Sequence, residues 1–309
     1  MNSAARCALG LDVGGTKIAG GIVLFPEGRV IERKIIPTQP QRGGEAVLSD
    51  VLALVEQFRN LATARQLVPV ALGVGLAELV DRHGNIASAA TIAWQHLPVQ
   101  ARLDALLPTI IEADVRAAAR AEAAFGAGQP YRHFLYVTVG TGISSCLVIE
   151  GEPYPGAAGL AGTFASSPQL IPDHAGQTMV VPALESIASG PALAARLRAI
   201  ESGFTGTAAD VCARANHGDA GAAQVVDTAG RCLGAAIAQL INVLDPEAVL
   251  LGGGLGLARG RFREMLVGAL RSHCWSSLHQ NVPLLEAQTG ADAGIIGGAW
   301  TALNRGDRN

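Results

Sequence analysis

The 309-residue chain has little excess of charge of either sign. Its 23 Lys and Arg against 26 Asp and Glu leave a formal net charge of -3. No overall field would draw in a nucleic acid or an anionic membrane surface, and neither is expected as a partner. Cysteine is scarce: Cys7, Cys146, Cys212, Cys232 and Cys274 lie far apart and are odd in number. That excludes a disulfide framework and a zinc ribbon and fits a reducing, cytoplasmic setting. No basic region, apolar stretch and cleavage site precede the patterned segment ARCALGLDVGGTK, so secretion is not expected. Long hydrophobic runs are lacking too. FLYVTVGTGISSCLVI and CLGAAIAQLINVLDP are cut by glycines or polar residues and fall short of a membrane span.

What remains is a chain with 49% hydrophobic and 16% charged residues, enough for a large core in one elaborate domain or two moderate ones. Residues 6–36 alternate apolar runs with the turns GGT and PEG, the pattern of a three-stranded antiparallel meander. A helix is expected over residues 44–64, and VPVALGVGLAEL after it reads as a buried strand. Residues 109–113 give one more strand, followed without a spacer by the helix that begins at Asp114. RHFLYVTVGTGISSCLVIEGEPY then repeats the plan of the first meander. Residues 156–182 are expected to be loop, with helices near 182–200 and 219–244, a strand ending in GGG, and a helix in RGRFREMLVGALRSH. Two similar α/β halves with a cleft between them account for this order.

Asp12 stands at a strand end before the turn Gly14, Gly15, Thr16. Glycines let backbone N–H groups approach a ligand closely, and a concave run of such groups binds phosphate. A tight hairpin with a surface acid is the alternative for that motif alone. Two further glycine turns, Gly140, Thr141, Gly142 in VGTGISS and Gly253, Gly254 in LLGGGLG, suit a nucleotide held at several points. None has the GxxxxGK[ST] form or the early dinucleotide fingerprint. Asp114 either caps the alanine-rich helix or takes a proton from a substrate.

The set LGLDVGGTKIAGGIV, IIEADVRAAARAEAAFG, LYVTVGTGISSCLV, GAAGLAG, ALESIASGPAL, LDPEAVLLGGGLG and ADAGIIGGAW resembles the ROK family of sugar kinases, within the actin-like ATPase superfamily, over essentially the whole chain. The resemblance implies two actin-like (ribonuclease H-like) α/β domains around a cleft. Residues 1–115 with 291–309 would form the smaller domain and 116–290 the larger. It implies that ATP lies with the first two turns around its phosphates and Gly253 and Gly254 near the adenosine. Asp12 would act through Mg²⁺ by way of water, Lys17 would add positive charge or remain a solvated strand residue, and Asp114 matches the catalytic base. Relatives are commonly dimers or tetramers, so a homo-oligomer, such as a homodimer, is expected.

The pattern breaks in the acceptor pocket. Ala113 stands where the family has an asparagine, and Thr163 and Ser166 replace the glutamate and histidine of a GExxGH-like stretch that grips the sugar. Glu185 matches a surviving sugar contact or serves as an ordinary first-turn helix acid. The family's CxCGxxGC zinc cluster is missing from residues 167–183, where His174 alone cannot make a structural site, so no zinc is expected. Arg116 is either a contact to an anionic or keto-bearing substrate or a solvated helix residue. These changes point to a kinase for the primary hydroxyl of a polyol of different outline, with a C7-cyclitol of the 2-epi-5-epi-valiolone type, phosphorylated at its 7-position, as the leading candidate. A non-catalytic ATP- or sugar-binding regulator and an ordinary hexose or N-acetylhexosamine kinase are the alternatives.

Overall fold

The computed structural model describes residues 6–94, 96–172 and 178–306. The chain divides into two units, residues 1–132, 148–161 and 288–309 in the first and residues 133–147 and 162–287 in the second.

In the first unit, β1 (Arg6–Val13), β2 (Lys17–Phe25) and β3 (Arg29–Pro37) form the expected meander. α1 (Gly44–Ala64), β4 (Pro69–Leu76), α2 (Val99–Asp104), β5 (Thr109–Ala113) and α3 (Asp114–Phe125) follow. The sheet order is β3-β2-β1-β4-β5, with β1 antiparallel to β2 and parallel to β4, and β4 parallel to β5. Side chains alternate between faces along β1. Leu9 and Leu11 pack in a cluster with Val51, Leu54, Val55 and Phe58 of α1, whereas Ala8 packs with Ile295, Ala299 and Leu303 near the end of the chain. Asp12 shares the parity of Ala8 and Gly10, which carries it to that second face.

The second unit starts with β6 (His133–Val139) and β7 (Ile143–Ile149); β8 (Glu152–Pro153) lies in the segment that groups with the first unit. Then come β9 (Gln169–Pro172), β10 (Thr178–Val181), α4 (Glu185–Ala188), α5 (Gly190–Ile200), α6 (Ala208–Asn216), α7 (Ala220–Leu244), β11 (Ala248–Gly252), α8 (Arg261–His273), α9 (Ser277–Gln280) and β12 (Leu284–Glu286). The sheet order is β12-β11-β6-β7-β8, with β11 parallel to both β6 and β12. α7 and α8 pack closely because Gly230 and Gly234 offer no side chain. A Cβ on Gly234 would stand 2.2 Å from the Leu266 carbonyl oxygen. α10 (Ala293–Gly306) returns to the first unit, where it packs on β1, β4 and α3.

Three expectations are corrected. The segment 156–182 is not all loop, since β9 and β10 pair antiparallel; the run TMVV carries three β-branched residues, which favour a strand. α2 and α6 were not foreseen. The units part after residue 132, not at 115, because α3 packs on α10 and β4 and so stays with the first sheet. His174 lies outside the described residues.

Candidate active site

The first unit gathers the acids. Asp12 pairs in register with Gly75 of β4, and Gly75 with Glu112 of β5, so Asp114 begins its helix one strand beyond the end of β4. The helix N-cap is Ala113, which makes no side-chain cap bond; Asp114 is the first helical residue, and its Oδ1 accepts from the Val115 N–H at 2.6 Å. Asp114 is therefore not the N-cap that the helix-start reading required. Loss of water around its carboxyl pushes its pKa up to about 7, with the nearby negative charge of Asp12 as the next cause and that of Glu78 also contributing; the Val115 N–H and Arg116 oppose the rise. Asp12 is pushed up to about 6 by burial and eased by the charge of the exposed Lys17. Two neighbouring acids poised this way are characteristic of a reacting centre.

Between Asp12 and Lys17 the glycine turn closes through Gly14 N–H to the Lys17 carbonyl at 3.0 Å. Buried Thr38 holds it from one side, its hydroxyl donating to the Gly14 carbonyl at 2.6 Å and its N–H to that of Thr16 at 3.1 Å. The contacts described give the Gly15 and Thr16 N–H groups no protein acceptor, leaving these donors for a ligand.

The second unit repeats this device. Gly140 N–H donates to the Gly142 carbonyl at 2.9 Å, and Gly190 N–H donates to the Gly140 carbonyl at 2.8 Å. The third turn leans on the second. Leu255 and Gly256 both donate to the Val139 carbonyl, at 3.0 and 3.1 Å. Gly253 has φ 78°, and a Cβ there would stand 2.4 Å from that same oxygen, so only glycine fits. Gly140, Thr141, Gly142, Gly253 and Gly254 are thus brought together as one group. Glu185 touches it as well: its Oε2 accepts from Ile143 N–H at 2.8 Å, while its own N–H donates to the Ala165 carbonyl at 3.1 Å. That second bond places Glu185 beside the exposed Thr163 and Ser166, whose segment closes through Ser166 N–H to the Thr163 carbonyl at 3.4 Å.

Arg116 takes neither of its expected roles. It is buried, with Nε at 3.3 Å from Glu112, and it donates to the carbonyls of Gly159 at 2.6 Å and Val80 at 2.9 Å. Each guanidinium nitrogen already has an acceptor, so the side chain ties two loops to α3 and is not a free anion receptor. Removing one member of a buried pair strands the other. Arg116→Ala is expected to destabilise the first unit by about 3 kcal/mol in urea unfolding, and Arg116→Lys, which lacks the planar fork, should recover little of it.

Sequence reasoning missed Glu78, reading it as the end of the strand. It is buried, and both carboxylate oxygens are filled. Oε1 accepts from the N–H groups of Thr91 and Ile92 at 2.8 Å each, and Oε2 from Ala90 N–H at 3.0 Å and from the Ser88 hydroxyl. An acid inside the apolar run VGLAELV was the available signal.

The donor set also bears on metal. No group of three or more His, Cys, Asp or Glu among the described residues could enclose an ion. Mg²⁺ needs no such cage, since it keeps several waters and takes one or two carboxylates plus phosphate oxygens. Asp12, a single carboxyl at the strand end beside the glycine turn and ionised above about pH 6, fits that use.

Two α/β units, each with a glycine turn joining its first two strands and with acids collected at one of them, set the chain apart from P-loop and dinucleotide folds. The chain belongs to the ROK family, whose model matches residues 8–305. It is 29% identical to a glucokinase of Halalkalibacterium halodurans, covering 96% of this chain and 94% of that one. It is 28% identical to an N-acetylmannosamine kinase of Salmonella typhimurium, covering 95% and 97%. Among solved structures, a ROK family glucokinase from Streptomyces griseus in complex with glucose and AMPPNP superposes with a TM-score of 0.79 at 28% identity, over 96% of this chain and 99% of that one. The architecture is that of the actin-like ATPases.

Proposed function

We propose that the chain is an ATP-dependent kinase that phosphorylates a primary hydroxyl of a sugar-like polyol, with Asp114 as general base. The observation that carries this reading is the Asp12 and Asp114 pair beside a turn with open N–H donors. A regulator that only bound its ligand would have no use for a carboxyl whose pKa is raised to about 7. The open N–H groups of the first unit's turn would meet the nucleotide's phosphates, Lys17 would add positive charge, and Asp12 would hold Mg²⁺ through water. ATP would supply the phosphoryl group, and Mg²⁺, when bound, would offset its charge. Asp114 orients the acceptor hydroxyl and takes its proton as the oxygen attacks; positioning does most of the rest.

The acceptor class is inferred from three positions at which the sequence departs from the family pattern. Ala113 is apolar, and Thr163 and Ser166 offer short hydroxyls in place of longer polar groups. A site that reads hydroxyls loses about 1 to 3 kcal/mol for each buried partner left unpaired, so glucose and N-acetylmannosamine are poorly served. A C7-cyclitol of the valiolone type is the proposed acceptor, with the protein working as a homo-oligomer. ADP release with Mg-ATP against glucose, mannose, N-acetylmannosamine, inositols and valiolone-type cyclitols tests this. Turnover confined to cyclitols supports the acceptor class, whereas efficient turnover of ordinary hexoses overturns it.

The base must be ionised to accept a proton. With Asp114 raised to about 7, kcat/KM for the acceptor should climb as pH rises from 5.5 to 8, with its half-point near the pKa of the free enzyme. A rate profile already flat above about pH 5, as an unshifted carboxylate would give, would remove Asp114 from that role.

A further inference from the structure

We infer that Glu78 is a positioning residue for the phosphate-binding turn, acting through Thr91. This rests on the kinase reading above and extends it to a residue outside the reacting groups.

The four partners of Glu78 all donate: the N–H groups of Ala90, Thr91 and Ile92 and the hydroxyl of Ser88. A carboxylate offers about four lone-pair sites on two oxygens. The cage is therefore full, and Glu78 has no acceptor capacity left to grip a substrate hydroxyl. What it fixes is the backbone of residues 88–92. Ser88 Oγ in turn accepts from Leu79 N–H at 2.9 Å, closing the segment back on the residue after Glu78.

Thr91 carries that order to the turn. Its hydroxyl donates to the Ala77 carbonyl at 3.1 Å, which sets its rotamer and aims its methyl at the glycine turn. A Cβ built on Gly15 would stand 2.7 Å from Thr91 Cγ2, so the methyl fills the space a side chain at position 15 would occupy. With Thr38 on the Gly14 and Thr16 carbonyls, the turn is gripped from two sides, and its open N–H groups at Gly15 and Thr16 are held ready for phosphate. Displacement of such groups by an ångström is enough to lose a large part of their effect.

The test uses the whole 309-residue chain, with the Mg²⁺ complex of AMPPNP as probe. Glu78→Gln keeps the shape but turns one acceptor oxygen into an amide group that faces donors. It should speed hydrogen exchange at residues 88–92 and weaken AMPPNP binding roughly tenfold, a loss of about 1.4 kcal/mol. Thr91→Ala leaves the carboxylate cage in place. It should keep wild-type exchange at Ala90 and Ile92 yet also weaken AMPPNP, a split that a purely structural role for Glu78 would not give, and it keeps the test open should Glu78→Gln fail to fold. Wild-type affinity in Thr91→Ala, or in a Glu78→Gln protein whose segment has loosened, would overturn the inference while leaving the kinase reading intact. If the wild-type protein binds no AMPPNP, the kinase reading fails and this inference falls with it.

Discussion

Asp114→Asn should lower phosphoryl transfer by about 10²- to 10⁴-fold, the range for loss of a general base, while leaving AMPPNP binding near wild type. Asparagine has the same outline, so the acceptor can still be seated; it cannot take the proton. The variant should also be more stable than the wild type at pH 8. Asp114 is raised from an ordinary 3.8 to about 7 in the folded chain, so the folded state binds its proton more tightly than the unfolded state does. Stability contributed by this group is present at low pH and falls as pH rises from about 4 through 7. Asparagine removes that loss. Thermal melts of the two proteins should therefore coincide near pH 4 and separate in favour of the variant by pH 8. A helix-starting role predicts the reverse on both counts, full activity and no pH-dependent gain, and the structure gives the cap position to Ala113.

Gly297→Ala should be among the most destabilising single-methyl changes in the chain. A Cβ at this position would lie 1.7 Å from the carbonyl oxygen of Ala117 in α3. The obstacle is backbone, which no rotamer change can move aside, so α10 and α3 must part. Overpacking typically costs 1 to 3 kcal/mol and occasionally more; with rigid backbone on both sides, about 3 kcal/mol or more is expected, even after the gain of up to about 1 kcal/mol from replacing a helical glycine by alanine. Gly268 supplies the control. It lies within α8, nothing stands within 4 Å of its Cβ position, and Gly268→Ala should stabilise by up to about 1 kcal/mol. Urea unfolding of both variants checks the pair. Gly297→Ala should lose activity as well, because α10 begins over Asp12: a Cβ on Gly294 would stand 2.7 Å from the Asp12 carboxyl carbon.

That helix also shows what a sequence can and cannot disclose. ADAGIIGGAW stands out as a motif, yet its reason is spatial: Gly297 meets Ala117, and Gly73 of β4 meets Gly298, where an added Cβ would lie 1.8 Å from the carbonyl. The meander of β1 to β3, α1 and the junction at Ala113 and Asp114 were legible because turns and periodicity are local. α6 was equally local and went unread, although Thr207 and Asp210 form a capping box at its start. Arg116 and Glu78 were hidden for a different reason. Their partners, the Gly159 and Val80 carbonyls for one and the 88–92 backbone for the other, are fixed only by tertiary folding. Glu185 falls between: its place in the first turn of a helix was visible, its bond to Ile143 N–H was not.

Transfer of the γ-phosphate is the most direct test of the central claim. Purified protein, ATP labelled at the γ-position, Mg²⁺ and a valiolone-type cyclitol are combined at pH 8, and the acceptor is isolated by mass spectrometry. The account predicts labelled phosphate on the cyclitol's primary hydroxyl with the wild type and almost none with Asp114→Asn. Equal labelling by the two proteins, or AMPPNP binding with no label on this or any sugar acceptor, would contradict it.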